Sequence, residues 1–205
     1  MDKNLSESFK NTISLDSLGE MAKETAEVTL DSLLSEGVLK EFPIIGSLIG
    51  VWKTGIAIRD YRFINKLLSF LAESSKLSFE KRLQIIERLE EEGYQSEAGE
   101  KILAILDQLE TKSKAIILGK SLVLFGNKEI SKEEFWRVAY IIEKLPMSDV
   151  LALKSWRSTD LNAVEDIRKS LYLSVGLGAF VLDFSSEGFY WHKRLCEIFE
   201  CKILL

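Results

Sequence analysis

Residues Phe42 to Lys66 read FPIIGSLIGVWKTGIAIRDYRFINK, and the interpretation of this stretch decides between a soluble helical core and a membrane segment. Its first half is an apolar run spaced by Gly46, Gly50 and Gly55. Its second half carries Arg59, Arg62 and Lys66 at i, i+3 and i+7, with Phe63, Ile64, Leu67 and Leu71 on another side. Phe42–Ile58 reaches only the lower length limit for a membrane span and contains Lys53. Gly46-x-x-x-Gly50 is the spacing that lets transmembrane helices approach closely, and soluble helices use it wherever they cross at short range. The cationic half fits an interfacial helix, and equally a core helix with a solvated basic face. The ordinary reading is preferred. Gly46 and Gly50 lie one turn apart on a shared face, with Gly55 flanking them. The spacing therefore predicts a close helix contact at Gly46, Gly50 and Gly55, and an exposed interaction strip at Arg59, Arg62 and Lys66.

Outward from this stretch the pattern is helical. Leu15–Leu34 has roughly helical apolar spacing, and Gly37 is placed to end it. Pro43 suits the first turn of a helix running to about Ala72, bent near Gly50 or Gly55. A helix beginning at Ser78 presents Leu77 or Phe79, Leu83, Ile86 and Leu89 and closes at Gly93. The next packs Ile102, Leu103, Ile105, Leu106 and Leu109. Another runs from about Lys112 to Phe125 and stops at Gly126-Asn127. Ser131-Lys-Glu-Glu134 is a capping box, followed by an apolar face of Phe135, Val138, Ala139, Ile142 and Leu145 and ended by Pro146. Shorter helices are predicted over Ser148–Trp156 and Leu161–Tyr172. GAFVLDF, SSEG and FYW then read as a β-hairpin, and His192–Leu205 as a short amphipathic helix. The expected fold is mainly α: a compact multi-helix domain with a small C-terminal β-hairpin plus helix. Its expected divisions are a flexible lead-in over 1–13, a helical domain over 14–158, and a hairpin-and-helix appendage over 159–205.

The chain has 205 residues, with 27 basic and 32 acidic side chains and a net charge of −5. That balance argues against generic nucleic-acid binding. The polar start lacks the apolar core of a secretory signal, so Cys196 and Cys201 are expected as reduced thiols in the cytoplasm.

Candidate chemical motifs reduce to structural ones. GNKEISKEEF has Ile130 and Glu134 in calcium-loop register, but two of the ligand positions fall on Val123 and Phe125, whose side chains are hydrocarbon. Val175-Gly-Leu-Gly-Ala179 lacks the third glycine and the strand-to-helix turn of a dinucleotide site. His192, Cys196 and Cys201 do not close a tetrahedral metal site, and a Cys–His nucleophile would need an orienting group and an oxyanion hole. Glu87, Glu90, Glu91 and Glu92, interleaved with Arg82 and Arg88, read as a solvated helix face. Trp52, Trp136, Trp156 and Trp191 read as core anchors. No catalytic, cofactor-binding or metal site is assigned.

The order GVLKEFPIIG (Gly37–Gly46), KTGIAIRD (Lys53–Asp60) and KLLSF (Lys66–Phe70) resembles a set of small helical proteins of bacteria and prophages. LGKSLVLFGNKEISKEEFWRVAYII (Leu118–Ile142) is similar in style to the same set. The resemblance implies a mobile-element or phage–host-conflict setting and transfers no active residues. The expected function is non-enzymatic binding of another macromolecule, with a protein partner or self-association. The alternative is a membrane-active effector that inserts into or docks on an anionic inner-membrane surface through Phe42–Lys66. A weaker one is a winged-helix-like DNA binder over Leu161–Lys202, whose hairpin carries Asp183 and Glu187 and no base to meet phosphate.

Overall fold

Leu5, Phe9 and Ile13 recur at one-turn intervals, and Lys3–Ile13 is an α-helix (α1) with Phe9 and Ile13 fully buried. The expected flexible lead-in is therefore a packed core element. Its few apolar residues share one face, which its polar composition conceals. The computed structural model describes residues 3–20, 42–51, 58–90, 98–159, 163–183 and 186–204. It divides into two units, Met1–Lys132 and Glu133–Leu205. The fold is mainly α, with a two-stranded antiparallel hairpin near the C-terminus followed by a helix.

In the first unit, α1 packs on α2 (Pro43–Val51) through paired polar contacts. Pro43 opens α2, leaving the Ile44 N–H without an intrahelical acceptor. The fully buried Thr12 of α1 supplies it: its Oγ1 accepts from Ile44 N at 2.9 Å and donates to the Ser8 carbonyl at 2.8 Å. Ser8 and Ser47 hydroxyls meet at 2.7 Å. Phe42, Ile44 and Ile45 are fully buried. The start of the deciding stretch is thus core.

The helix expected from Pro43 to about Ala72 is described as two, α2 and α3 (Ile58–Ser74). Residues 52–57 between them lie outside the described residues, as does most of the expected Leu15–Leu34 helix. α3 buries Phe63, Ile64, Leu67, Phe70 and Leu71, and packs along α6 (Lys112–Gly126). α6 is buried nearly all round, as a central helix must be. α4 (Phe79–Glu90) and α5 (Ala98–Gln108) complete the unit. α4 turns Arg82, Ile85, Ile86 and Leu89 inward and leaves Phe79 and Leu83 exposed, one position away from the predicted face. The cause is Arg82, which buries its side chain to reach α1.

Three basic side chains hold three helix C-termini in this unit. Arg82 donates to the Ile13 and Leu15 carbonyls at 3.2 and 2.7 Å, at the end of α1. Arg88 reaches the Phe125 and Gly126 carbonyls of α6 at 3.4 Å each and lies over the Phe125 ring. Lys66 takes the end of α5. A cation there satisfies orphan carbonyls and meets the negative end of the helix dipole.

The second unit begins at Glu133, one residue into α7 (Lys132–Lys144). The division thus falls at the start of α7, well ahead of the expected position near residue 159. Trp156 meets Trp191 of the hairpin, and Glu134 and Arg157 pair with Arg194 and Glu197 beyond it. Phe135, Val138, Ala139, Ile142 and Leu145 are fully buried, as the spacing predicts. α8 (Met147–Ala152) continues into a 3-10 turn, Leu153–Ser158. α9 (Asp166–Ser174) ends in a Schellman arrangement: Gly176 N bonds the Leu173 carbonyl, Leu177 N bonds the Tyr172 carbonyl, and Gly176 takes φ +73°. β1 (Gly178–Asp183) pairs with β2 (Ser186–Trp191), with Phe180 opposite Phe189 and Gly178 opposite Trp191. α10 (Lys193–Ile198) and a π turn, Phe199–Ile203, close the described chain.

Candidate functional site

The positions predicted for the interaction strip divide between surface and core. Arg62 is exposed, whereas Lys66 is 7% exposed, a correction to the expected exposed strip. Position 66 falls beside the buried Leu67, and the lysine stem runs inward until its ammonium finds the end of α5. Nζ donates to the Asp107 and Leu109 carbonyls at 2.8 and 2.9 Å. Arg59 lies in the first turn of α3, and its side chain is outside the description.

These α3 residues form one wall of a cleft of about 840 Å³. Arg62, Asn65 and Lys66 face the segment that turns α5 into α6: Asp107, Gln108, Leu109, Glu110 and Lys112. The turn is built by Thr111, which is extended (φ −136°, ψ 154°) and whose Oγ1 accepts from Lys114 N at 3.3 Å to cap α6. Leu109 is buried beneath it. Lys114, with a fully buried side chain, holds the Glu110 carboxylate at 3.0 Å. Arg62, Asn65, Gln108 and Lys112 are exposed around the opening, and Lys66 is fixed at the base. The cleft can bind and orient a charged, hydrogen-bonding group.

Of the three glycines predicted to make a close helix contact, two lie in a described helix. Gly46 and Gly50 lie in α2, whose neighbour is α1, while Gly55 lies outside the described residues. A close approach is made by Gly119 in α6, where an added Cβ would stand 2.6 Å from Glu73 Cβ and 2.9 Å from the Phe70 carbonyl oxygen. The sequence carried a signal for it: glycine inside a long apolar helix costs about 1 kcal/mol relative to alanine, so a packing reason is expected.

In the second unit, Asp149 Oδ1 accepts from Arg168 Nε at 2.8 Å and from the Tyr172 hydroxyl at 3.0 Å. Burial, reinforced by Asp149, pushes the Tyr172 phenol up to about 12. Trp191 stands among Phe189, Tyr172 and Trp156, at centroid distances of 5.1, 5.1 and 6.3 Å. Trp156 Nε1 donates to Glu200, which also pairs with Arg157. Arg194 pairs with Glu134 at 2.6 Å. His192 is a capping residue: its Nδ1 accepts from Leu195 N at 3.3 Å. Cys196 is fully buried, and burial pushes its thiol up to about 12, the reverse of an activated nucleophile. Cys201 is exposed. Among the described residues no group of three or more His, Cys, Asp or Glu could hold a metal ion, and no helix is long and apolar enough to cross a membrane.

No protein-family model, curated protein or solved structure matches the chain.

Proposed function

We propose that this protein is a non-enzymatic binding protein for another macromolecule, and that the α3/α5–α6 cleft of its first unit is the contact site. The observation that carries the reading is the arrangement of the cleft. Arg62 and Lys112 are exposed above a base whose lysine is already committed to two carbonyls, and Glu110 is committed to Lys114. Such groups bind and position. A phage-related or host-defence setting is part of the proposal and rests on the resemblance of Gly37–Phe70 and Leu118–Ile142; a cytoplasmic one rests on the polar start of the sequence.

Photocross-linking tests the reading in the native host. A benzophenone amino acid at position 62 or 112 should give a discrete adduct, and one at Leu83, exposed on α4, should not. Equal adducts from all three positions, or none from 62 and 112, would reject the cleft as the contact site.

A further inference from the structure

Resting on that reading, we infer that the cleft takes an acidic peptide segment of a partner protein, held by its carboxylates and by its main chain. Charge is the first argument. Arg62, Lys66 and Lys112 line the cleft against Asp107 and Glu110, and Glu110 is held by the ammonium of Lys114. The lining thus carries one basic charge in excess in a chain that is at −5 overall, which favours an anionic ligand. Arg62 can fork onto a carboxylate with two parallel hydrogen bonds, and Lys112 acts as a point charge.

The second argument is the pair of amides. Asn65 on α3 and Gln108 at the end of α5 are exposed side chains lining the same cleft. Each amide offers a donor and an acceptor, the complement of a peptide unit, whereas the oxygens of an ionised phosphate can use only the donor. Cations with amides on facing elements thus fit an extended acidic peptide better than a polyphosphate backbone. The volume of about 840 Å³ falls among those of clefts that hold a bound group, roughly 300–1,000 Å³.

The test uses the full chain and four probes: a fluorescein-labelled peptide of alternating Glu and Gly, its Gln/Gly counterpart, a labelled oligo-dT, and phosphatidylglycerol vesicles. The acidic peptide should bind the parent in preference to the others. R62E/K112E should weaken it by at least about tenfold, an effect of about 1.4 kcal/mol, and N65A/Q108A should weaken it measurably. K76E, a charge change outside the cleft lining, should leave it unchanged. All substituted positions are exposed, and thermal melts establish that each variant is folded. Oligo-dT or vesicle binding that depends on Arg62 and Lys112 without a preference for the peptide overturns the inference but leaves macromolecule binding at the cleft standing. Acidic-peptide binding that is absent in the parent, or equal in parent and both variants, overturns the peptide inference. Persistence of the cross-links at 62 and 112 then tells whether the wider reading also falls.

Discussion

The backbone of Gly119 lies against the carbonyl oxygen of Phe70: a β-carbon built at position 119 would stand 2.9 Å from that oxygen and 2.6 Å from Glu73 Cβ. Both obstacles are backbone or close to it, on a helix whose opposite face is buried, so neither can move aside cheaply. This is the helix crossing that brings α3 and α6 together, and it positions one wall of the cleft.

Gly119→Ala should therefore destabilise the protein. Alanine gains up to about 1 kcal/mol of helix propensity, but overpacking at a buried crossing costs about 1–3 kcal/mol. Gly19→Ala is the control, because a β-carbon there meets nothing within 4 Å. Urea denaturation should show a lower midpoint for the first variant only. A Gly119→Ala variant as stable as the parent would mean that the crossing is looser than the structure shows.

Lys66 and Arg62, four residues apart on one helix, should respond unequally to replacement. Lys66→Met keeps the buried stem but leaves the Asp107 and Leu109 carbonyls without their donor, at a cost of about 1–3 kcal/mol. Arg62→Ala removes an exposed side chain and should change stability by less than about 0.5 kcal/mol. Differential scanning calorimetry separates the two. Equal melting temperatures for both variants would contradict the capping role of Lys66.

The same pair shows what was legible in the sequence. Periodicity identifies helices reliably where apolar residues are dense. Phe135, Val138, Ala139, Ile142 and Leu145 were readable as a face and are all buried. The hairpin was readable from its β-rich runs and central turn. α1 was not, because Leu5, Phe9 and Ile13 are few among polar neighbours. Basic side chains were the least legible. A lysine or arginine at a helical position looks solvated, and only the tertiary fold shows that Lys66, Arg82 and Arg88 reach carbonyls on elements distant in sequence. The cleft was therefore half visible: Arg62 and Lys66 could be named, whereas its other wall depends on how α5 meets α6. The repeated glycines at 46 and 50 drew attention by their spacing, while the close contact at Gly119 had no repeat to mark it.

Arg82 should control the local stability of α1. It is 4% exposed, and its removal leaves the Ile13 and Leu15 carbonyls without a charged donor. Hydrogen bonds to charged groups contribute about 1.5–3 kcal/mol. In Arg82→Met, amide exchange should accelerate across residues 3–13 more than across α6. Uniform acceleration in both helices would show that Arg82 supports the unit as a whole and does not act locally on α1.

The second unit should lose stability in alkali, through Cys196 and Tyr172. Burial raises the Cys196 thiol from its usual value near 9 to about 12, and the Tyr172 phenol from near 10 to about 12. Both groups are neutral when protonated, so the folded state holds these protons more tightly than the unfolded chain. Their contribution is fully present below about pH 9 for the cysteine and about pH 10 for the tyrosine. It is lost as pH rises towards about 12, because the unfolded chain there binds fewer protons and stability falls with pH. Denaturation midpoints followed through Trp156 and Trp191 fluorescence, with Trp52 and Trp136 replaced by phenylalanine, should decline from pH 9 upward. Cys196→Ala and Tyr172→Phe should each flatten part of that decline. A thiol reagent at pH 8 gives an independent reading: the exposed Cys201 should react at once, and Cys196 only at the rate of unfolding. Should both thiols react together in the native protein, Cys196 is accessible and the burial that underlies the alkaline argument is refuted.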